Sequence, residues 1–422
     1  MTPLRVLHVT PYFEGAWAYG GIPRLATAQA RALARRGHHV TVCTTDAGDA
    51  TARWPGPVEP AAIDVRVFPN RSNWAAYHYQ FFTPAGLGRY LARHAGGFDV
   101  AHLHACHHLP GAIAARHLVR ARVPYVLQPN GTAPRLERRR LAKRLFDATA
   151  GRRVLPSAAR VIAVSEAERR QLAGIGVAES RISLVPNPID LDEFAAPPPR
   201  GTFRSAHGLG NAPVGLYLGK LTPRKRLDVL IEAFAGLGRS DARLVIAGND
   251  MGAGADARTR ANALGIGDCT RFTGLLTGRE RLAALADATV VAYPSEHEIF
   301  GLVPLEALLC GTPVVVAGDS GCGEVIARVG GGLVVPQGDS AALARAVARV
   351  LDRPEDWRGP VARAANRIRD WYGADEVAAT LDALYRALVI SGSAGPPAPR
   401  QARSLAGTPS PRSAPSPRSG PL

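Results

Sequence analysis

The sequence predicts an α/β protein with two doubly wound lobes that face a central cleft. Three observations support this fold class: short apolar strands alternate with helical segments, a Pro- and Gly-rich break interrupts them near residue 200, and the alternation then restarts. Parallel sheets covered by helices on both faces give such alternation. In open α/β sheets, ligands bind beyond the carboxyl ends of the strands, so two facing sheets would enclose a ligand.

The first half contains seven predicted strands and a glycine-rich first loop. The strands are 4–9, 40–44, 63–68, 100–103, 123–127, 161–164 and 182–185. The loop runs from Gly15 to Gly21 and precedes a helix at 22–36, whose apolar side chains recur at helical spacing. That helix is expected to end at Gly37, because glycine commonly follows the last turn of a helix.

The second half repeats the pattern after a predicted linker at 196–213, which is rich in proline and glycine. The predicted strands are 214–218, 244–247, 271–273, 290–293, 314–316 and 333–335. The predicted helices are 227–237, 256–264, 280–286, 303–309 and 341–351. We therefore expect an N-terminal lobe at 1–195 and a C-terminal lobe at 214–372.

The net charge of +16 is concentrated in two segments. Residues 391–422 hold four arginines and no acid, and their eight prolines predict disorder. Residues 135–153 hold eight basic side chains against two acidic ones. A small anionic substrate or an anionic membrane surface explains this distribution as well as nucleic acid does. We expect no nucleic-acid partner, although a basic nucleic-acid-binding protein remains an alternative of a different class.

The cysteines and the N-terminus predict a cytoplasmic protein. Five scattered cysteines without a CxxC pair argue against a disulfide framework and fit a reducing compartment. The first residues lack the long apolar region of a signal peptide, and no run approaches the ~18 apolar residues of a membrane span. The cluster at 102–108 has the composition of a metal site, but neighbours this close ligate a tetrahedral ion poorly.

The segment 294–311 carries the strongest chemical signal in the sequence. Gly301 permits close approach of the backbone to a ligand, and Pro304 suits the first turn of a helix. The N–H groups at the start of that helix would point into the cleft and favour a phosphate or a diphosphate.

Two glutamates flank this predicted phosphate site. Glu298 precedes the helix, and Glu306 lies on it eight residues later. A carboxylate in contact with a diphosphate would repel it, so both are expected to accept hydrogen bonds from sugar hydroxyls. The same spacing also fits a Ser295-x-x-Glu298 capping box and a solvated Glu306.

A basic cluster follows the first strand of the second lobe. It consists of Lys220, Arg224, Lys225 and Arg226. Placed at the carboxyl end of that strand, these side chains would face the same cleft and neutralise a diphosphate leaving group as its charge builds. A solvated basic turn is the alternative.

In order along both lobes, these motifs resemble those of retaining, nucleotide-sugar-dependent glycosyltransferases of family 4, which have the GT-B fold. The resemblance runs from about residue 4 to residue 389. It includes the E-x7-E signature at Glu298 and Glu306, the basic motif with Lys220 and Lys225, the glycine pair Gly20-Gly21 and the D-x-x-H-x-H stretch at 99–104.

The resemblance implies a role for each matching residue. In the donor site, Glu298 would bind sugar hydroxyls and Glu306 the ribose, while Lys220 and Lys225 would bind the diphosphate. The amides of Phe300, Gly301, Leu302 and Val303 would also bind the diphosphate, which Gly20 and Gly21 would let the acceptor lobe approach. The partners implied are a nucleotide sugar and a glycan, lipid-linked or small-molecule acceptor, with no metal and no other cofactor.

Several features depart from the family or go beyond its signature. Asn130 stands where many members have histidine, and it cannot act as a base, so we expect it to bind a donor hydroxyl. His104 is expected at the cleft edge on the acceptor side. The segment 135–153 should form a helix that either meets an anionic membrane, as in relatives, or is simply solvated. The segment 373–390 is expected to pack back on the N-terminal lobe.

Another enzyme with the same two-lobed fold, such as an epimerase or a phosphorylase, remains a second alternative.

Overall fold

The structure is a computed structural model that describes residues 2–49, 51–57, 62–134 and 140–392. Part of the predicted basic helix, 135–139, and nearly all of the predicted disordered tail lie outside the described residues. The described residues form two parallel sheets covered by helices, which confirms the α/β prediction.

The first sheet has seven strands in the order β3-β2-β1-β4-β5-β6-β7. The strands are β1 (Arg5–Val9), β2 (His39–Thr45), β3 (Asp64–Phe68), β4 (Val100–His104), β5 (Tyr125–Gln128), β6 (Arg160–Ala163) and β7 (Ile182–Leu184). Its helices are α1 (Gly21–Arg35), α2 (Asn73–Tyr79), α3 (Leu87–His94), α4 (Leu109–Ala121), α5 (Arg140–Ala148) and α6 (Glu166–Gly174).

The second sheet has six strands in the order β10-β9-β8-β11-β12-β13. The strands are β8 (Val214–Leu218), β9 (Arg243–Ala247), β10 (Thr270–Gly274), β11 (Val290–Tyr293), β12 (Val314–Ala317) and β13 (Gly332–Val335). The helices of this half are α7 (Thr202–Ala206), α8 (Leu227–Gly236), α9 (Gly254–Ala263), α10 (Gly278–Asp287), α11 (Leu302–Leu309), α12 (Gly321–Val329), α13 (Ser340–Asp352), α14 (Arg358–Tyr372) and α15 (Ala374–Gly392).

Every predicted strand is present, with each end within two residues of the prediction. The central strands β4, β5, β8, β11 and β12 are buried along their whole length. Parallel strands that are covered on both faces read as continuous apolar runs, which is why the sequence located them.

The short helix α7 lies inside the segment predicted as a linker. Its N-terminal amides are capped by a distant side chain: Asp287 accepts hydrogen bonds from Gly201 N at 2.6 Å and Phe203 N at 2.8 Å. Phe203 is buried. Sequence reasoning missed this helix because its cap lies 86 residues away along the chain.

The last helix, α15, packs on the first lobe against α1 and β4. Tyr385 Oη lies 2.6 Å from His102 Nδ1, and Asp382 lies 3.1 Å from His38 Nε2. Both contacts join the C-terminal segment to the N-terminal lobe. Within the described part of the chain, every helix is too short or too polar to cross a bilayer.

Candidate active site

The two lobes approach each other closely at the glycine pair at the start of α1. A Cβ on Gly20 would lie 2.7 Å from Lys220 Cε, and a Cβ on Gly21 would lie 3.1 Å from Leu302 Cδ1. Gly20 has a φ of 94°, a conformation that side chains rarely adopt. The pair therefore allows the N-terminal lobe to approach the basic loop after β8 and the first turn of α11.

A second approach lies at the loop after β5. A Cβ on Gly131 would lie 2.7 Å from Ile299 Cγ1, so this loop meets the segment that carries Glu298. Asn130, the neighbour of Gly131, has a φ of 53°, which asparagine tolerates better than most residues. The structure thus brings Asn130 close to the predicted donor site.

Glu298 lies in the loop between β11 and α11, within a set of polar side chains from its own lobe. Its Oε2 accepts hydrogen bonds from Lys225 Nζ, from Ser295 Oγ at 3.1 Å and from Tyr293 Oη at 3.3 Å. Lys225 Nζ also donates to Tyr293 Oη at 2.7 Å. Glu298 therefore bonds to these side chains and does not form the capping box that the Ser295-x-x-Glu298 spacing also allowed.

The electrostatics of this cluster keep Glu298 charged. Burial alone would raise the pKa of Glu298, but the positive charges of Lys225 and Arg224 outweigh it and lower the pKa to about 2. The carboxylate is therefore ionised at every physiological pH. Lys225 is itself buried, so the alternative of a solvated basic turn does not apply to it.

Glu306 lies on α11 and is bonded to two arginines. Its Oε1 accepts from Arg24 of α1 at 2.9 Å, and its Oε2 accepts from Arg281 of α10. Arg281 is 2% exposed, and its second terminal nitrogen, Nη2, donates a hydrogen bond to Glu193 at 2.7 Å. Burial would raise the pKa of Glu306, but the charges of Arg281 and Arg24 outweigh it and lower the pKa. Glu306 is buried, so it is not a solvated helix residue.

The start of α11 is shaped by Gly301, whose φ is 78°. A Cβ at this position would collide with Cys322 Sγ, so only glycine fits between the loop and α12. Leu302 and Val303 are partly exposed in the first turn. The ring of Phe300 is buried 5.4 Å from that of Tyr372, edge to face, so Phe300 anchors the loop in the core.

Two arginines of the predicted basic cluster, Arg224 and Arg226, are bonded to other groups of their own lobe. The Arg226 guanidinium pairs with Asp228 at 2.9 Å and with Glu296. Arg224 donates to the carbonyl of His297 at 3.2 Å. Both side chains organise the loops around Glu298, and Lys220 and Lys225 are the members of the cluster that lie against Gly20 and Glu298 respectively.

The prediction that His104 lies at the cleft edge is wrong for this structure. The ring is fully buried, and its Nε2 lies 3.0 Å from His8 Nδ1 on β1. Burial holds the pKa of His104 well below its usual value. The cause is strand geometry: residues two apart on β4 share one face of the sheet, and this face is covered.

The same face brings His8, His102 and His104 together, with one ring nitrogen of each within 4.8 Å of the others. Sequence reasoning did not include His8, because it lies on a different strand. A structural zinc site takes four ligands, and a catalytic one keeps an open position. One ring nitrogen of each histidine already has a protein partner, since His8 Nδ1 lies 3.0 Å from His104 Nε2 and His102 Nδ1 lies 2.6 Å from Tyr385 Oη.

A buried glutamate missed by the sequence analysis supports the Asn130 loop. Glu168 of α6 is fully buried and accepts hydrogen bonds from Gly131 N at 2.6 Å and Val164 N at 2.9 Å. Burial raises the pKa of Glu168 to about 7. The only sequence signal was the Ser165-x-x-Glu168 spacing, which the structure uses as a cap: Glu168 N donates to Ser165 Oγ at 3.2 Å.

Comparison with known proteins agrees with this geometry. The model of "Glycosyltransferase Family 4" matches residues 19–193, and that of "Glycosyl transferases group 1" matches residues 200–367. A D-inositol 3-phosphate glycosyltransferase of Kineococcus radiotolerans is 31% identical over 90% of this chain and 94% of its own length. The enzyme of the same name from Mycolicibacterium smegmatis is 32% identical over 83% and 84% of the two chains.

Solved structures give the same fold. Anabaena HepE, crystallised with UDP and glucose, has a TM-score of 0.72 at 20% identity and covers 91% of this chain and all of its own. Sucrose-phosphate synthase of Thermosynechococcus elongatus has a TM-score of 0.71 at 23% identity, over 92% of this chain and all of its own. With two parallel-sheet lobes and relatives matched over nearly their whole length, the chain belongs to the group 1/family 4 glycosyltransferases and has the GT-B fold.

Proposed function

We propose that this enzyme transfers a sugar from a nucleoside diphosphate sugar to an acceptor hydroxyl, with retention at the anomeric carbon. The observation that carries the proposal is the contact between Lys225 and Glu298 on the C-terminal side of the cleft, opposite the Gly20-Gly21 pair. This arrangement places a cation for phosphate next to an anion for sugar hydroxyls.

In the proposed reaction, the bond from the anomeric carbon to the donor phosphate oxygen breaks, and the acceptor oxygen forms a new bond on the same face. The O–H bond of the acceptor breaks in the same step, and its proton leaves with the departing diphosphate. An ammonium has three N–H donors. Tyr293 and Glu298 use two of those on Lys225, which leaves one for the departing diphosphate. Lys220 and the amides at the start of α11 add further stabilisation as charge builds on the leaving group.

Glu298 would hold the sugar in this scheme. Its pKa of about 2 makes it a permanent hydrogen-bond acceptor and unsuited to proton donation at neutral pH. Asn130, beside Gly131 at the opposite wall, would contact another donor hydroxyl. No metal has a role, because lysine side chains and helix amides would supply the positive charge.

The relatives and neighbours suggest which substrates to test first. UDP is bound in the Anabaena structure, and the curated relatives are named for D-inositol 3-phosphate. We propose UDP-sugars as the first donor panel and inositol phosphates as the first acceptors, with glycan and lipid-linked acceptors next.

The test is a thermal-shift screen of nucleoside diphosphates and nucleotide sugars, followed by product analysis. A ligand at 100 times its dissociation constant stabilises a protein by ~2.7 kcal/mol, which such a screen detects. We expect a nucleoside diphosphate to be released in proportion to a glycosylated acceptor with the donor's anomeric configuration. Inverted product, or donor consumption without release of nucleoside diphosphate, would contradict the proposal and favour another GT-B enzyme.

We also propose that α5 contacts an anionic membrane surface. Leu141 and Leu145 are 77% and 67% exposed, and Arg144 is exposed beside them. Apolar and basic side chains on one helix suit a membrane interface. Replacing Leu141 and Leu145 with Gln, and Arg144 with Ser, should abolish sedimentation with anionic vesicles while soluble-acceptor transfer survives. A wild-type protein that ignores anionic vesicles at low salt would refute this, and α5 would be a solvated helix.

A further inference from the structure

The Glu306 carboxylate joins the two lobes through a buried ion pair. Arg24 belongs to the first turns of α1 in the N-terminal lobe, and Glu306 belongs to α11 in the C-terminal lobe, 282 residues further along. The side chain of Arg24 is 22% exposed and that of Glu306 is 5% exposed. Because water is largely excluded from this pair, solvent screens it little.

The position of Arg24 makes the pair sensitive to lobe separation. Arg24 lies one turn beyond Gly20 and Gly21, where an added Cβ would meet the side chains of Lys220 and Leu302. Its guanidinium lies 5.5 Å from the ring centre of Trp17, which holds it at the N-terminal side of the contact. Moving the lobes apart would therefore break the bond to Glu306.

Glu306 keeps capacity for further hydrogen bonds. A carboxylate offers about four lone-pair sites. Arg24 takes one on Oε1 and Arg281 takes one on Oε2, so each oxygen can accept one more bond. Two vicinal hydroxyls of a ribose could use these positions without displacing either arginine.

Another ion pair between the lobes is far less buried. Arg170 of α6 pairs with Glu324 of α12, and their side chains are 64% and 33% exposed. Exposed pairs contribute little to stability. Of these two contacts, the Arg24–Glu306 pair is thus the one whose energy depends strongly on closure.

We propose that Arg24 is a positioning residue that holds the two lobes together through its ion pair with Glu306, a contact that we call the clasp. In this way Arg24 couples binding of the donor ribose to cleft closure. The ribose part rests on the proposed function, whereas the clasp itself rests only on the contacts above. When the lobes close, Arg24 fixes the Glu306 carboxylate for the ribose, and a bound ribose favours the closed arrangement in return.

The first experiment tests the clasp without any donor chemistry. Small-angle scattering of the full chain, with and without UDP, ADP or GDP, is measured for wild type and for Arg24→Ala. The matched control is Arg31→Ala, which removes an arginine of the same helix whose partner, Glu14, lies in the same lobe at 2.5 Å. In at least one of these states we expect Arg24→Ala to have a larger radius of gyration than wild type. The control, Arg31→Ala, should have the same radius as wild type. Equal radii in every state would overturn the clasp.

The second experiment tests the coupling. Dissociation constants of UDP, ADP and GDP are compared with those of their 2′-deoxy forms. For the nucleotide that wild type binds best, Arg24→Ala should weaken binding roughly 10-fold, because a buried charge loses its partner. The control should stay within about twofold, and Arg24→Lys should recover part of the loss. Unchanged or tighter binding by Arg24→Ala would overturn the coupling and make Arg24 a competitor of the nucleotide.

The two failures are distinguishable. If wild type binds the 2′-deoxy form as well as the ribonucleotide, the ribose assignment of Glu306 fails and the proposed sugar transfer is unaffected. If wild type binds none of the three nucleotides, the proposed function fails as well. The clasp is then still decided by the scattering of the free protein. The melting temperature of Arg24→Ala, measured beside that of Arg24→Lys, shows whether either variant is unfolded.

Discussion

The two carboxylates of the site, Glu298 and Glu306, are buried in different ways. Glu298 is surrounded by side chains of its own lobe: one lysine, a tyrosine and a serine. Glu306 is held by two arginines, one from each lobe. The Glu298 cluster can therefore form in an open cleft, whereas the Glu306 cluster is complete only when the lobes meet.

The two glutamates of the E-x7-E motif thus have different surroundings, and we propose different roles for them. In the proposed function, Lys225 beside Glu298 keeps an N–H donor for phosphate, so we assign this pair a chemical role. The paired arginines beside Glu306 balance its charge and account for a structural and positioning role. The following predictions test that division, beginning with the largest expected effect.

Replacing Arg281 with Met should destabilise the protein most. The variant leaves the buried Glu306 carboxylate with one partner and removes the partner of Glu193, and breaking a buried ion pair costs about 3–5 kcal/mol. Urea unfolding measures the loss, and Arg279→Met on the exposed face of α10 is the control. A loss below about 1 kcal/mol would mean that the Glu306 cluster does not contribute to stability.

Replacing Glu298 with Gln should mainly affect turnover. We expect kcat to fall about 100-fold or more while the nucleotide dissociation constant stays near that of wild type, because a charged acceptor of sugar hydroxyl bonds matters most in the transition state. Steady-state kinetics and calorimetry measure the two quantities. Glu280→Gln, at an exposed position of α10, is the control, and turnover of Glu298→Gln within threefold of wild type would contradict the assigned role.

Glu168 should make stability depend on pH near neutrality. Its folded pKa of about 7 lies above its usual value, so its contribution is fully present below pH ~4.5 and is lost as pH rises through 7. A shift of this size corresponds to about 3 kcal/mol. Urea unfolding at pH 5 and pH 8 should show a smaller difference for Glu168→Gln than for wild type. Glu166→Gln, at a half-exposed neighbour whose side chain pairs with Arg169, should keep the wild-type difference.

Replacing Lys225 with Ala should weaken binding of a nucleoside diphosphate more than binding of the nucleoside. A hydrogen bond to a charged group contributes about 1.5–3 kcal/mol, so we expect a loss of roughly 10- to 100-fold for the diphosphate. Isothermal titration with both ligands measures the difference. Equal losses would show that Lys225 acts only through the position of Glu298.

The sequence could predict features that depend on neighbouring residues, and it missed features that depend on residues far apart in the chain. The strands were located correctly because buried parallel strands are apolar runs punctuated by glycine and proline. The helix α7 was missed because Asp287, which caps it, is remote in sequence. His104 was placed at the cleft because its strand ends there, but the packing of β1 and α15 against β4 covers it.

The sequence by itself determined the succession of elements, the glycine pair before α1 and the eight-residue spacing of Glu298 and Glu306. These features depend on residues close together in the chain. Only the tertiary structure decided which cation meets which carboxylate: Lys225 lies 73 residues from Glu298, and Arg24 lies 282 residues from Glu306. Local patterns carry no information on such pairs. Lys225 meets Glu298 because the strands before them, β8 and β11, are neighbours in one sheet, whereas Arg24 meets Glu306 only when the two lobes face each other.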